Sequence, residues 1–450
     1  MTVEVAIEET QKQEVVVSEE EAKMVTENEE KVSEKPENEE KDENEAKPEL
    51  IEKSSSYREE SNNLSDLKES ERKALTELKS LIEEAILGNT LLEKLEKKDE
   101  LEGKKIEEIE DVLIWGVPLL PSKGSEGIDV ILLKFLRARE FKVNETFEML
   151  KKTLIWRENF NIGSILEEDL GVDLENAAYM SGYDRENHPV CYNIFGVFGN
   201  EELYSKTFGS EEKREQFLRS RFQFMERGIK KLDFRPGGVT SILQVYDLKN
   251  CPGPSKKEIR NATFKAIGLL QDNYPELVAK NVLINVPFWY YAFYALISPF
   301  LTQRSKSKFV VARPPKVTET LLKYIPFEEI PVQYGGLKRE NEAEFDGDDR
   351  KVTEIVLKPG STETIEIPAL EAGKALVWEL AVLGGEVSYK EEFIPTDEGS
   401  YTIIIQKEKK LESMEKAVRN SFKNNEAGKI VLTINNQSKK KKRAFYRYKN

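Results

Sequence analysis

Residues 271–301 read QDNYPELVAKNVLINVPFWYYAFYALISPFL, and from Val282 to Leu301 the run contains no charged side chain. Twenty uncharged residues are the length a membrane-spanning helix needs. Pro287 and Pro299 divide the run, however, and Val282 to Val286, with Asn285 inside it, reads as a short buried strand. The helical remainder, Phe288 to Ser298, would rise only about 17 Å against a hydrocarbon core of about 30 Å. The stretch therefore reads as an apolar strand running into a mobile or membrane-touching helix.

Outward from that strand the same texture repeats. Runs rich in β-formers at 189–198 (PVCYNIFGVF), 239–248 (VTSILQVYDL), 280–286 (KNVLINV) and 308–312 (KFVVA) alternate with helical runs at 211–231, 256–272, 288–298 and 318–324. Strands separated by helices predict a largely parallel α/β sheet, assigned to 163–338. Before it, Ala74, Leu75, Leu78, Leu81, Ile82, Ala85 and Ile86 fall at helical spacing and stop at Gly88 and Asn89. Asp129 then caps VILLKFLRAREF, and Thr146 to Asn159 places Phe147, Leu150, Leu154 and Ile155 on one face, so 64–162 reads as a helical subdomain. After Gly335-Gly336 an acidic linker, 339–350, leads into 351–450. There KVTEIVLK, TETIEI, ALVWELAVL, YTIIIQ and KIVLTI are punctuated by glycine turns, the pattern of an antiparallel β-sandwich.

The formal charge of −15 is uneven: residues 1–60 hold 21 acidic and 8 basic side chains, so −13 of it belongs to that stretch. With one aromatic, Tyr57, and no sustained period, residues 1–63 read as a disordered acidic tail. The last thirteen residues, SKKKKRAFYRYKN, carry seven basic and no acidic side chains. Two cysteines, Cys191 and Cys251, make no disulfide framework and suit a reducing compartment, and the start MTVEVAIEET lacks a secretory pattern, so a cytoplasmic protein is expected. One histidine, His188, leaves no His/Cys zinc site, and the chain has no glycine-rich phosphate loop, GxSxG or HExxH. Neither cofactor, metal nor catalytic residue is expected, and His188 reads as a solvated residue in a hairpin turn.

The helix at 288–300 bears Phe288, Trp289, Tyr290, Tyr291, Phe293, Tyr294, Leu296, Ile297 and Phe300 and is apolar nearly all round. It is either a central core helix or a lid over a lipid pocket. Withdrawing an acyl chain of about 16 carbons from a bilayer forfeits roughly 13 kcal/mol at about 0.8 per methylene, so a carrier needs an equally apolar cavity with a cover. Tyrosine and tryptophan suit a lid that touches the headgroup layer.

FLRAREF (135–141), GYDRENHPV (182–190), LQVYDLKN (243–250), the 271–301 run, KSKF (306–309) and LLKYIPFEEIPVQYGG (321–336) together resemble a CRAL-TRIO lipid-binding domain with its helical N-terminal extension. With an acidic tail before it and a GOLD-like sandwich after it, the chain resembles the patellins, a plant phosphoinositide-binding family. The resemblance implies a hydrophobic cavity gated by the helix at 287–300, lined by Phe288, Trp289, Phe293, Leu296, Ile297 and Phe300, and a role in membrane trafficking such as cell-plate formation. Of the inositol-phosphate contacts in yeast phosphatidylinositol-transfer relatives, the arginine is present as Arg139, but the glutamate and lysine positions are Ala266 and Ser298. The phosphatidylcholine-contact positions are Ile242 and Gln244. A phosphate without its cation loses a charge-assisted hydrogen bond, so the ligand or its pose is expected to differ.

Three basic groups are candidates to replace the missing lysine, the alternative for each being a solvated surface: Arg304, Lys306 and Lys308 after the gate, Arg313 and Lys316, and the cluster Lys439, Lys440, Lys441, Lys442 and Arg443. A near-neutral body and an acidic tail argue against nucleic acid and favour an anionic membrane surface. The expectation is a non-enzymatic protein, peripheral to plasma membrane, endosome or cell plate, that holds a phosphoinositide or other hydrophobic lipid and contacts a trafficking protein through the GOLD-like domain. The alternative is a trafficking scaffold with a vestigial cavity. The acidic tail is also expected to compete with membrane for the basic C-terminus.

Overall fold

The computed structural model describes residues 57–88, 90–92, 112–253, 255–290, 303–342, 344–411 and 417–449. Three helices form the N-terminal layer: α1 (Glu69–Leu87), α2 (Ile128–Ala138) and α3 (Val143–Asn159), with a two-stranded ribbon, β1 (Leu113–Ile114) and β2 (Val117–Pro118), between the first two. α1 buries Leu75, Leu78, Ile82 and Ile86, the stripe its spacing predicts. α2 is covered nearly all round, from Ile128 to Leu136, which its continuous apolar run requires. α3 is turned slightly from expectation, burying Thr146, Met149, Leu150, Thr153 and Leu154 while Phe147 stays half-covered.

The central sheet runs β3 (Ala178–Tyr183), β4 (Pro189–Ile194), β5 (Ile242–Asp247), β6 (Val278–Ile284) and β7 (Phe309–Val311) in spatial as well as chain order. β3 and β4 form the antiparallel hairpin, and every later pair is parallel. The parallel crossovers carry α4 (Glu201–Phe208), α5 (Glu211–Ile229) and α6 (Lys257–Asn273), followed by the short α7 (Gln303–Ser307) and α8 (Val317–Leu322). Asn200 and Ser210 cap α4 and α5 by accepting from the Leu203 and Lys213 amides. Gly228 lets α5 lie close on the sheet, since a Cβ there would stand 2.5 Å from Ile242 Cδ1. Leu218, Phe222 and Met225 of α5 share one core with α1, α2 and α3, so the helical layer is fused to the sheet domain.

The C-terminal part is a sandwich of two antiparallel four-stranded sheets. One is ordered β13 (Val418–Lys423), β10 (Ala375–Leu383), β15 (Lys442–Lys449) and β8 (Thr353–Leu357); the other is β12 (Ile403–Leu411), β11 (Val387–Pro395), β14 (Gly428–Asn435) and β9 (Thr362–Ala369). Leu380, Trp378, Tyr389, Phe393 and Leu432 interleave between the sheets. Inside that core the Glu391 carboxylate accepts from Trp378 Nε1 at 3.1 Å, Tyr389 OH at 2.7 Å and Asn420 Nδ2 at 2.7 Å, which offsets its desolvation. The sandwich packs on the far face of the α/β sheet, where Phe445 stacks on Phe327 with centroids 4.0 Å apart and Ala381 and Leu383 join Tyr192, Val245 and Leu321.

Candidate lipid cavity and its charged mouth

Strand alternation decides which side chains enter the space between the sheet and helices α5 and α6. In β4, Val190 and Tyr192 face the sandwich side, while Cys191 and Asn193 face the helices; in β5, Leu243 and Val245 oppose Gln244 and Tyr246. Parallel register sets Cys191, Gln244 and Asn281 in one row, and Asn193, Tyr246 and Leu283 in the next. Phe217, Phe224 and Met225 of α5 and Ile267 and Leu270 of α6 supply the opposite wall of a cavity of about 510 Å³. That lies within the roughly 300–1,000 Å³ usual for small-molecule sites.

Trp289 lines this cavity, Tyr290 is buried beside it, and Phe288 is 88% exposed. Phe293, Leu296, Ile297, Phe300 and Ser298 lie outside the described residues. Arg139 sits half-buried at the end of α2, on the cavity rim, its Nη1 donating to the Ala138 carbonyl at 3.4 Å. Ala266 is in the cavity wall, and Gln244 accepts from Asn193 Nδ2 at 2.8 Å. Burial pushes the Cys191 thiol up to about 12 and the Cys251 thiol up to about 11, so neither offers a thiolate. Among the described residues no group of His, Cys, Asp and Glu is placed to hold a metal, and no helix is long and apolar enough to cross a membrane.

The mouth of the cavity is densely ion-paired. Glu276 accepts from Arg304 Nε at 2.6 Å and Lys308 Nζ at 2.8 Å, while its main-chain carbonyl accepts from the buried Lys134 Nζ at 2.7 Å. Burial disfavours the Glu276 charge, but Lys308 and Arg304 outweigh it and hold the carboxyl down at about 2. The segment 57–63, assigned to the tail by composition, instead straps across this mouth. Glu60 pairs with Arg304 Nη1 and Arg137 Nε, each at 2.9 Å; the Tyr57 ring lies under Lys308 Nζ at 4.9 Å; and Asn62 donates to Thr240 Oγ1 at 3.0 Å.

His188 is another departure from the sequence reading. The hairpin is present, but the histidine is 3% exposed, with Nδ1 at 2.8 Å from Asp184 Oδ2 and Nε2 at 2.9 Å from Glu59 Oε2. Burial alone would lower its pKa; the two carboxylates reverse that and raise it to about 9. Two acceptors and no donor surround the ring, so the imidazolium is the form this pocket holds.

The basic side chains expected to face a membrane do not form one free cationic surface. Lys308 is buried in its Glu276 pair, Arg304 is doubly paired, and Lys306 is half-buried on α7. In the C-terminal cluster Lys439, Lys440 and Lys441 are exposed. Lys442 is buried within β15, its Nζ donating to the Glu386 carbonyl, and Arg443 pairs with Glu354 through Nε at 2.5 Å and Nη2 at 2.8 Å. Arg447 is buried against Glu379 and donates to the Leu337 carbonyl at 3.2 Å, tying the sandwich to the end of the α/β domain. The sequence presents these side chains as one basic run; Lys439, Lys440 and Lys441 precede β15 and stay exposed, whereas Lys442, Arg443 and Arg447 within it are buried or paired.

The sequence reading also passed over Arg221. The stripe Phe217, Arg221, Phe224 and Met225 on α5, at spacings of three and four, carries one cation on an otherwise apolar helix face, and that was the available signal.

Comparisons with known proteins agree with this anatomy. The family models described as "CRAL/TRIO, N-terminal domain", "CRAL/TRIO domain" and "Patellin-1-like, C-terminal GOLD domain" match residues 74–152, 175–336 and 358–442. Patellin-4 of Arabidopsis thaliana is 50% identical across 91% of this chain and 92% of its own length, and Patellin-3 of the same plant is 50% identical across 90% and 79%. A "Phosphatidylinositol transfer protein SFH5" of Meyerozyma guilliermondii is 30% identical over 46% of this chain and 63% of its own. A helical CRAL-TRIO extension fused to a CRAL-TRIO sheet domain, with a GOLD sandwich welded behind it, places the chain in the patellin family.

Proposed function

We propose that this chain is a non-enzymatic lipid-binding and transfer protein that docks reversibly on anionic, phosphoinositide-bearing membrane and serves membrane traffic, with cell-plate formation and vesicle transport as its settings. The observation that supports this most is the cavity of about 510 Å³, walled by phenylalanine and leucine and lined also by Leu283, Trp289 and Tyr290. Phe288, Trp289, Phe293, Leu296, Ile297 and Phe300 are the gate, and Arg139 stands at its rim. Lys439, Lys440 and Lys441, with the half-buried Lys306, are proposed as the membrane-facing basic set, since Lys308 and Lys442 are buried and Arg304 and Arg443 are ion-paired. The GOLD domain is the surface for a trafficking protein, and the chain works from the cytoplasm at plasma membrane, endosome or cell plate.

Patellin-family membership and the name of the phosphatidylinositol-transfer relative favour this class over an enzyme. The test is transfer of a fluorescent phospholipid between donor and acceptor liposomes, with and without phosphoinositide in the acceptor. Catalysed transfer that Phe293→Asp abolishes is expected. If Phe293→Asp leaves function in cells intact while removal of residues 345–450 abolishes it, the chain is a GOLD-dependent scaffold and the proposal fails.

A further inference from the structure

Most cations around the cavity have a carboxylate. Arg137 pairs with Glu60, Lys256 with Glu201, and Arg304 and Lys308 with Glu276. Arg221, which reaches into the same space from α5, has none among the described residues. Its Nη1 donates to Asn193 Oδ1 at 3.3 Å, a marginal length, while Nε and Nη2 are closed off from water without any acceptor. Three of the five N–H groups of a guanidinium are therefore unsatisfied.

What surrounds Arg221 is apolar or neutral. The guanidinium carbon lies 5.2 Å from the Phe217 ring centroid and 5.6 Å from that of Phe224. Cys191 and Tyr246, the polar neighbours that favour its charge, are themselves held protonated by burial. Burial pulls the arginine down to about 10, which leaves it charged at neutral pH. A buried cation without a partner is costly, and a well-packed core does not retain one for stability. Beside it the sheet presents amides: Asn193 is bonded to Gln244, and Asn281 is the register neighbour of Gln244 on β6. A charged group backed by amides and flanked by Phe217, Phe224 and Leu283 matches an amphiphile with its anionic end inward and its chain along the apolar wall.

We propose that Arg221 is an internal anion receptor, and that the cavity ligand is a lipid whose head carries a net negative carboxylate or phosphate seated on Arg221 with Asn193 and Gln244. This deepens the lipid-carrier reading and rests on it. A zwitterionic head would bring a second cation up to this unpaired guanidinium, and an alcohol would leave it unsatisfied.

The experiment uses delipidated full-length protein and calorimetric titration with oleate, oleoyl lysophosphatidate, oleyl alcohol, oleoyl lysophosphatidylcholine and inorganic phosphate, each below its aggregation threshold. Oleate or oleoyl lysophosphatidate should bind at least about 10-fold more tightly than oleyl alcohol, and the tighter of the two identifies the head. Arg221→Met should cut anion affinity by about 10- to 100-fold and leave oleyl alcohol unchanged, with Arg221→Lys restoring part of the preference. Equal binding of oleate and oleyl alcohol by the native protein, or an undiminished preference in Arg221→Met, overturns the anion receptor while leaving the lipid cavity standing. Inorganic phosphate bound as tightly as oleoyl lysophosphatidate would overturn the amphiphile assignment. Failure of every oleoyl compound to bind would instead bring down the lipid-carrier reading. Should Arg221→Met not fold, the native preference between oleate and oleyl alcohol carries the test.

Discussion

The strap over the cavity mouth is held in part by a histidine whose charge can be read directly. His188 is the one histidine of the chain, so its ring protons are assigned without mutagenesis in a proton spectrum of the full-length protein. With Asp184 on one ring nitrogen and Glu59 on the other, its pKa is raised from 6.5 to about 9, a difference corresponding to about 3 kcal/mol in favour of the charged, strapped form. Because the folded value lies above the unfolded one, that stabilisation is complete below pH 6.5 and is lost as pH rises through 9. Lys134 runs the other way: burial lowers it to about 7, so its cost to the fold is relieved as pH rises from 7 toward 10.5. A stability curve would mix the two opposing trends, which makes the ring titration the cleaner assay. Glu59→Gln keeps the side chain in place but removes one charge, and should lower the His188 midpoint by about 1 pH unit while loosening residues 57–63 toward hydrogen exchange. A midpoint near 6.5 in the native protein, or one unmoved by Glu59→Gln, would refute the buried imidazolium.

Three further expectations follow from particular contacts. Replacing Lys439, Lys440 and Lys441 by glutamine should weaken binding to anionic vesicles by up to about 100-fold at low salt, since each lysine contributes about 1 kcal/mol near such a surface; an unchanged sedimentation isotherm would contradict the assignment. Phe445→Ala removes the ring stacked on Phe327, at a cost of about 3–5 kcal/mol to the contact between sandwich and α/β domain, so trypsin should cut the 339–350 linker faster than in the native protein. Glu276→Gln leaves Lys308 buried without a carboxylate, and thermal unfolding should show a loss on the order of 3–5 kcal/mol; an unshifted melting temperature would show that the pair is not structural.

The sequence made the layers legible because each is written in a period that backbone geometry imposes. The stripe of α1 and the apolar runs of β5 and β6 survive intact, and the strand register they set brings Cys191, Gln244 and Asn281 into one cavity row. What was missed depends on side chains distant in sequence. Nothing local distinguishes Glu59 and Glu60 from the other acids of the tail, yet they complete the pockets of His188 and Arg304. β11 carries Lys390, Glu391 and Glu392 in succession, which masks its strand alternation, although Glu391 is buried and satisfied by three donors. β15 reads as a basic tail because its charges outnumber its aromatics, but Lys442, Ala444, Phe445 and Arg447 are all buried, Ala444 in the sandwich core and Phe445 and Arg447 against the α/β domain. In each case the burial of a charge depends on partners that the local sequence does not reveal.

Lipid carriage requires that the cavity between α5, α6 and the sheet hold a lipid. Native mass spectrometry of the full-length protein, purified from a eukaryotic host without detergent, tests it most directly, with organic extraction and fragmentation of whatever is bound. One amphiphile per chain is expected, absent after extraction and displaced by substituting Phe293 with Asp. A protein that carries only its bare mass, both as purified and after incubation with mixed phospholipid vesicles, would contradict it.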